Sequence, residues 1–393
     1  MIRPLALAVM LALAGCQSAD VQRAAPGLQI PAAWRADVGP SSPVEGVWWR
    51  NFHDSTLNLY VDQALRYNSD VLIARERVNE YQARAYAADS SLFPSLDAGL
   101  TGTRARSQSA ATGLPVHSTV YKGALTASYD VDLWGANRSA ASAAQASLEA
   151  QKAAAAAANL TVASSVAAGY ITLLSLDEQL RVTQQTLKSR EDAFNLAKRQ
   201  FETGYTSRLE LMQADSELRS TRAQIPPLRH QIAQQENALS LLLGANPDAV
   251  KRNAFAQLSP LSLPSQLPST LLNRQALNAQ VDVSMAQRNQ ALFSYEKTVR
   301  GAFKEVNDSL DAIGRYGEQL AELQAQEKVA QETLRIAQNR YRNGYSSYLD
   351  VLDAQRTLFS TQLSVVQVKN NLLLAQVDLY RSLGGGWSDS SGM

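Results

Sequence analysis

Apolar residues recur every seven positions in two separate stretches of the chain. The first has Leu211, Leu218, Ile225, Ile232 and Leu239, and the second has Val351, Leu358, Val365, Leu372 and Leu379. A second seam of smaller and more mixed residues follows three positions later in each stretch, as at Ala214 and Ala354. A strict seven-residue repeat over five heptads is typical of a left-handed coiled coil. The pattern predicts two long helices that neighbouring helices can approach closely.

The two stretches are copies of one unit. A shift of 140 residues places 196–244 on 336–384 without a gap. A Gly-Tyr pair stands directly before the heptads of each copy, as Gly204-Tyr205 and Gly344-Tyr345. Because glycine tolerates the left-handed conformation that ends a helix, each copy is predicted to be a helical hairpin that turns at its glycine. In the first copy alone, Pro226 and Pro227 predict a kink.

Other elements are predicted ahead of the first copy. Asp54 to Ala88 has the pattern of a helix capped at Asp54 or Ser55, and residues 136–203 have that of one or two very long helices. Between them, Ser95–Arg106 and Thr119–Leu133 break the helical pattern, and the second alternates apolar and polar residues. This period predicts a hairpin over about 92–133, either in a membrane barrel or in water with one face solvated.

The N-terminal residues have the pattern of an export signal. Arg3 precedes an apolar run from Pro4 to Ala14, which is too short to span a bilayer but fits a signal peptide. The run ends in Leu-Ala-Gly-Cys, which resembles a bacterial lipobox and contains the one cysteine of the chain, Cys16. A chance cysteine after an ordinary signal sequence is the alternative. No other stretch is predicted to be apolar enough for a transmembrane helix.

Composition narrows the possible functions. Aromatic residues make up only 7% of the chain, and alanine supplies much of its apolar content, which suits long thin helical packing better than a thick core. The formal net charge of +1 gives no electrostatic case for nucleic-acid binding. Three dispersed histidines offer no metal-ligand spacing, and no nucleotide-binding or catalytic motif is present. The sequence therefore predicts no enzyme, no cofactor and no metal.

Several motifs together carry a family resemblance. They are WWRNFHDSTLNLYVDQALRYNSDV at 48–71, LFPSLDAGL before the first predicted strand, YDVDLWG after the second, the lipobox and the two Gly-Tyr turns. In this order and spacing the chain resembles the outer-membrane efflux lipoproteins of the TolC-like outer-membrane factor family, which serve RND-type multidrug efflux.

The resemblance implies both a fold and a function. The fold is mainly α with membrane β: a homotrimer that shares a β-barrel in the outer membrane and a tube of long helical hairpins in the periplasm. Its implied function is a passive exit duct for drugs and small toxic compounds, anchored in outer-membrane lipid. Its implied partners are a periplasmic adaptor protein and an inner-membrane transporter.

The domain organisation follows from these motifs. It comprises a lipoprotein signal peptide (1–15), a tether (16–47), a first repeat (48–254), a linker (255–274), a second repeat (275–384) and a tail (385–393).

The second repeat departs from the family pattern, because no alternating segment follows residue 274. We interpret the junction at Arg274-Gln275 as an internal deletion of the second β-hairpin. A trimer would then have six strands, whereas single-chain outer-membrane barrels begin at eight.

The resemblance also implies a gate at the periplasmic mouth. Asp350 and Asp353 match the aspartates that ring the closed mouth, and Tyr341 matches a tyrosine of the gate network. Ser346 stands where the family has an arginine, which Arg340 or Arg342 could replace. Favourable charge at a helix N-terminus is the alternative role of the two aspartates.

Two further hypotheses for the whole chain stay open. One is a non-conducting truncated paralogue that acts only as a periplasmic coiled-coil lipoprotein. The other is a duct for protein secretion, because relatives in the family serve both kinds of export.

Overall fold

The computed structural model describes residues 31, 34, 46–108, 113, 115–261 and 285–385. In this part of the chain the α-helices are α1 (Ser55–Tyr67), α2 (Ser69–Ser90), α3 (Ala136–Glu202), α4 (Arg208–Leu242), α5 (Met285–Arg342) and α6 (Tyr348–Ser382). The strands are β1 (Ser95–Gln108) and β2 (Pro115–Ser128), and short 3-10 helices occupy Trp48–Phe52 and Phe255–Gln257. The predicted lipidation site Cys16 and the predicted junction Arg274-Gln275 lie outside the described residues.

The helix predicted over Asp54–Ala88 is two helices. Asp54 caps the first as predicted, because its carboxylate accepts hydrogen bonds from the backbone N–H groups of Thr56 and Leu57 at 2.8 and 3.0 Å. Asn68 ends α1 in an extended conformation, and its side chain accepts a hydrogen bond from the Asp70 N–H at 2.8 Å. This local bond competes with the helical backbone pattern, which is why the helix restarts there.

Helix α3 confirms the prediction of a very long helix, since it runs for 67 residues without a break. An 18-residue window within Ala136–Glu202 has a mean hydropathy of 1.4, so the prediction that no later stretch is apolar enough to cross a membrane is wrong by composition. Half of that window is buried inside the protein. We therefore assign its apolar character to packing against the neighbouring helices.

The heptad positions face the interior of the helix pairs as predicted. In α4, Leu218, Ile225, Ile232 and Leu239 are buried, and Leu211 is partly buried. Helix α4 continues through Pro226 and Pro227. Neither the helix nor its row of buried heptad residues ends at the two prolines. The predicted kink at these prolines stays a prediction.

Both helical hairpins turn at the predicted glycines. Gly204 and Gly344 have φ values of 73° and 75°, in the left-handed region. At the first turn, the Tyr205 N–H donates to the carbonyl of Gln200 and the Gly204 N–H donates to that of Phe201. The second turn repeats these bonds at positions 140 residues later, and both have the pattern of a Schellman motif.

The two strands form one antiparallel hairpin with Ser95 opposite Ser128 and Gln108 opposite Pro115. The predicted hairpin is confirmed, but its second strand is placed earlier than the sequence suggested. It begins at Pro115 rather than Thr119 and ends at Ser128, so Tyr129–Leu133 follow the strand. Alternation alone cannot mark where pairing stops, because the residues after Ser128 keep the same apolar and polar rhythm.

The main core joins the two halves of the chain. Trp48 stacks on Tyr380 of α6 with ring centroids 5.3 Å apart. The carboxylate of Asp54 accepts hydrogen bonds from the Tyr170 hydroxyl at 3.1 Å and from the Asn253 amide at 3.0 Å. These buried contacts fix the N-terminal turn and the last helix against the middle of α3.

The second half lacks a counterpart of α1, α2 and the hairpin in the described residues. The shift of 140 carries the end of α3 at Glu202 to the end of α5 at Arg342, so the helical parts correspond. Between Leu261 and Met285 there are 23 residues, whereas 95–128, which hold the first hairpin, number 34. A second hairpin of equal length therefore does not fit between the halves.

We predict that two glycine substitutions at helix ends will differ sharply in effect. Gly244→Ala would place its Cβ against the carbonyl oxygen of Tyr67, closer than van der Waals contact allows, in addition to the strain of a φ of 68°. Gly344→Ala incurs the strain alone, about 1 kcal/mol, because no atom lies within 4 Å of its Cβ. Thermal unfolding in detergent should therefore show a much lower midpoint for Gly244→Ala. Equal midpoints would contradict this account of the Gly244 contact.

Candidate functional site

Four helices meet close to the two Gly-Tyr turns. We call their shared contact the tip cluster, whose buried residues are Ala197, Ala214, Ala337, Tyr348, Val351, Leu352 and Ala354. Four of the seven are alanines, and small side chains allow helix backbones to approach closely. The tip cluster therefore joins the two helical hairpins at the end of the molecule.

Tyr341 connects the hairpins by a hydrogen bond. Its hydroxyl donates to the side-chain oxygen of Gln200 on α3 at 3.1 Å, and its ring lies 5.4 Å from that of Tyr348. Burial raises the pKa of the Tyr341 hydroxyl above its usual value, and it raises the pKa of Tyr348 to about 12. Both hydroxyls thus stay protonated near neutral pH, and Tyr341 remains a donor.

A partly buried ion-pair network, which we call the arginine cluster, lies further along the helices from the turns. It consists of Arg190, Glu217 and Arg356. Arg190 on α3 is only 5% exposed and pairs with the carboxylate of Glu217 on α4. The other oxygen of that carboxylate accepts a hydrogen bond from Nε of Arg356 on α6 at 2.9 Å. One carboxylate therefore ties together three helices from both copies of the repeat.

The arginines control the ionisation of Glu217. Burial by itself would raise the pKa of the Glu217 carboxyl, but the hydrogen bond from Arg356 and the charge of Arg190 outweigh it. The pKa of Glu217 therefore lies below its ordinary value of 4.5. Above that pH the carboxylate is charged, and the cluster is intact.

The two candidate gate aspartates are exposed in the single chain. Asp350 is in the first turn of α6, where a negative charge is favourable. Asp353 lies one turn further on, 3.5 Å from Nη1 of Arg356. Both predicted roles, gate residue and helix charge, are compatible with these positions. Arg340, a candidate substitute for the missing arginine, lies 3.5 Å from the carbonyl of Tyr345 in its own turn.

The turns themselves project apolar groups into solvent. Tyr205 is 84% exposed and Tyr345 is 76% exposed, and Leu209 and Leu349 are exposed beside them. The hairpin turns thus present two similar aromatic and aliphatic patches, which we call the tip patches. Among the described residues, no group of three or more acidic, histidine or cysteine side chains could hold a metal ion.

Sequence reasoning missed the arginine cluster, although a signal for part of it exists. Arg190 lies 14 residues before Gly204, and Glu217 lies 13 residues after it. In an antiparallel hairpin, residues at equal distances from the turn face each other, so this pair could have been found. Arg356 could not, because its approach depends on how the second hairpin packs on the first.

The helical hairpins, the tip cluster and the two-stranded hairpin at the other end define a subunit of a TolC-like outer-membrane export channel. Residues 60–245 and 259–385 match the family described as outer membrane efflux protein. The chain belongs to this family and is an outer-membrane component of an efflux system.

Individual relatives and structures agree with this assignment. The antibiotic efflux pump outer membrane protein ArpC of Pseudomonas putida is 27% identical, covering 99% of this chain and 96% of the relative. The probable outer membrane lipoprotein SilC of Salmonella typhimurium is 25% identical, covering 98% and 99%. The solved structure of the outer-membrane channel OprN has the same fold, with a TM-score of 0.81 at 23% identity over 93% of this chain and 99% of that one.

The length of one alignment bears on the missing hairpin. The alignment with ArpC runs over 471 positions, whereas this chain has 393 residues. At least 78 positions, the difference between 471 and 393, therefore hold residues of the relative without a counterpart here. In the first half, residues 55–134 are a segment of similar size, and they carry α1, α2 and both strands.

We predict that the arginine cluster stabilises the tips through its buried ion pair, Arg190 with Glu217. Glu217→Gln leaves the buried charge of Arg190 without a carboxylate and should lower the free energy of unfolding by about 3 kcal/mol. Arg356→Gln is the matched control, because the Arg356 side chain is 53% exposed. That change should cost at most about 1 kcal/mol. Denaturant unfolding in detergent measures both, and equal small losses would contradict the assignment.

The ion pair between Arg190 and Glu217 predicts that the stability of the protein depends on pH. Since the folded-state pKa of Glu217 is lowered, its contribution to stability is present above about pH 4.5 and is lost as the pH falls through the lower folded-state value. Glu217→Gln should lack this part of the acid-induced loss. An identical pH profile for both proteins would argue against an ionised Glu217.

Proposed function

We propose that the chain supplies the periplasmic tube of a passive export duct for drugs and small toxic compounds. The observation that carries this proposal is the pair of antiparallel helical hairpins joined at the tip cluster and crossed by the Tyr341–Gln200 hydrogen bond. A set of such hairpins around an axis encloses a tube that the tips can close. Transport through it needs no catalytic residue and no cofactor, because the attached transporter supplies the energy.

The proposed partners follow from the surface of the tips. Exposed tyrosine and leucine side chains on the two turns form the tip patches, which suit docking to another protein. We assign this surface to the periplasmic adaptor protein, which in turn contacts the inner-membrane transporter. Exposed residues on the flanks of the helices would contact two further copies of the chain in a homotrimer.

The membrane pore is the point at which the chain departs from a complete duct. Three copies of a two-stranded hairpin give six strands, too few to leave a lumen. A sheet with open edges in lipid leaves backbone groups unpaired, each at a cost of several kcal/mol. We therefore propose that the tube is complete and that the pore requires strands beyond the two that the described residues contain.

A complementation experiment tests this proposal. In cells that lack other outer-membrane factors, the chain as written should not restore drug resistance. A version with a helix and β-hairpin inserted between Arg274 and Gln275 should restore it. Immunoblots of outer-membrane fractions provide the control for equal expression. Full resistance with the unaltered chain would overturn the proposal.

The two-stranded sheet also supports the second candidate function. A chain that packs its helices but does not conduct would act as a periplasmic coiled-coil lipoprotein. The insertion experiment separates the candidates, because a tube that has lost its adaptor contacts would gain no resistance from a restored hairpin.

We propose that Cys16 carries the lipid anchor. The support is its position at the end of the Leu-Ala-Gly-Cys pattern. Cys16→Ser should leave the precursor uncleaved by the lipoprotein signal peptidase. Mass spectrometry of the mature protein should find a lipidated N-terminal cysteine, and an unmodified mature cysteine would refute the assignment.

We also propose that Asp350 and Asp353 line the closed mouth and attract cations. Three chains would place six carboxylates there. In the hairpin-restored version, Asp353→Ala should raise several-fold the concentration of multivalent cation that half-blocks the channel. Asp311→Ala is the control, because that carboxylate is 72% exposed on α5 and far from the turn. Unchanged block in Asp353→Ala would leave helix-end charge as its role.

A further inference from the structure

The β-hairpin has a charge distribution that membrane spanning alone does not require. On one face, the cross-strand pairs from the helix end towards the loop are Leu96 with Ala127, Ala98 with Leu125, Leu100 with Gly123, Gly102 with Tyr121, Arg104 with Thr119 and Arg106 with His117. The first four pairs are apolar or small, and the last two carry both arginines and a histidine. We call this face the apolar face.

The opposite face has the reverse arrangement. Its charged residues, Asp97 and Lys122, lie nearer the helices, where Asp97 pairs with Thr126 and Lys122 with Thr101. Towards the loop it carries uncharged pairs, Thr103 with Val120 and Ala105 with Ser118. The cations at the loop end of the paired strands are therefore confined to the apolar face. Charges that served only to keep the loop soluble would be expected on both faces of the hairpin.

The order of residue types along the hairpin indicates the depth at which each part would lie in a membrane. At the helix end, Phe93, Tyr129 and Trp134 are exposed, as is typical of the aromatic belt at a membrane interface. The apolar band from Leu96 to Gly102 then extends for roughly 20 Å along the strand, which is roughly 15 Å of membrane depth at the usual tilt of a barrel strand. Arg104 and Arg106 follow at the level of the outer headgroups.

We propose that Arg104 and Arg106, with His117 beside them, bind the phosphate groups of a phosphorylated glycolipid in the outer leaflet. This inference rests on the part of the proposed function that assigns the chain to the outer membrane, where the hairpin is the segment that would contact lipid. Across the strand pair the two arginines face Thr119 and His117, so neither has a carboxylate opposite it. Their side chains are about 7 Å apart on one strand, and a guanidinium can hold a phosphate through two parallel hydrogen bonds.

The apolar band indicates a lipid rather than a free anion. A ligand that covers both parts of this face needs acyl chains beside Leu100 and Leu125 and negative charge beside the arginines. Both leucines are exposed in the single chain, at 85% and 73%. A phosphorylated glycolipid offers both parts in one molecule, whereas inorganic phosphate uses only the second.

The test measures lipid binding to the full-length mature protein by native mass spectrometry from detergent micelles. The probes are lipid A, dephosphorylated lipid A, phosphatidylcholine and inorganic phosphate. The double variant Arg104→Gln/Arg106→Gln should bind lipid A roughly 25-fold more weakly, at about fivefold for each basic residue near an anionic headgroup. Lys122→Gln is the matched control, because it removes a cation from the opposite face, and it should change binding less than twofold.

A second measurement separates this inference from the proposed function. A polarity-sensitive fluorophore on Leu100→Cys, in vesicles with and without lipid A, reports whether the hairpin enters the bilayer. Entry combined with equal binding of the dephosphorylated lipid would overturn the phosphate inference and leave the membrane role intact. Equal losses in the double variant and in Lys122→Gln, or full competition by inorganic phosphate, would also overturn it. A fluorophore that stays in water in every vesicle would overturn the lipid inference and leave the proposed tube, which does not depend on the hairpin.

Discussion

The left-handed glycine turn is the constraint on which the helical part depends. Once Gly204 and Gly344 fix the end of one helix, the next helix returns antiparallel, and each residue meets the one at a similar distance from the turn. Arg190 and Glu217 meet in this way. The equal spacing of both copies also places the end of α5 near the end of α3, so that Tyr341 reaches Gln200. Local backbone conformation thereby sets contacts between residues 141 positions apart.

Most of the helical architecture could be predicted from the sequence, because its signals are local and periodic. The seven-residue seams, the Gly-Tyr turns and the cap at Asp54 each depend on residues that are close together in the chain. The break at Asn68 was missed because an asparagine inside an apolar pattern does not by itself mark a helix end, and its amide is held by a partner that is distant in the sequence. That partner is the carbonyl of Leu242, 174 residues away, at 2.9 Å.

The site was only partly predictable for a similar reason. Tyr341, Asp350 and Asp353 were chosen from a family resemblance, and the structure places the first in a contact between hairpins and the other two on the surface. Arg190 can be paired with Glu217 by distance from the turn, but its burial and the approach of Arg356 depend on how the two hairpins pack. A buried charge next to a shared carboxylate becomes evident only in three dimensions.

The two halves of the fold obey different requirements. Helices satisfy their own backbone groups, so the tube tolerates the absence of one hairpin and its preceding helices. A sheet in lipid satisfies its backbone only when the barrel closes, so it does not tolerate the same loss. The proposed function therefore separates a complete tube from an incomplete pore.

Single-channel recording in planar bilayers tests most directly whether the chain lacks a pore although its helical tube is complete. We expect the unaltered chain to give no stable unitary conductance, and the chain with a restored second hairpin to give steady channels. Steady channels of uniform size from purified trimers of the unaltered chain would contradict the account.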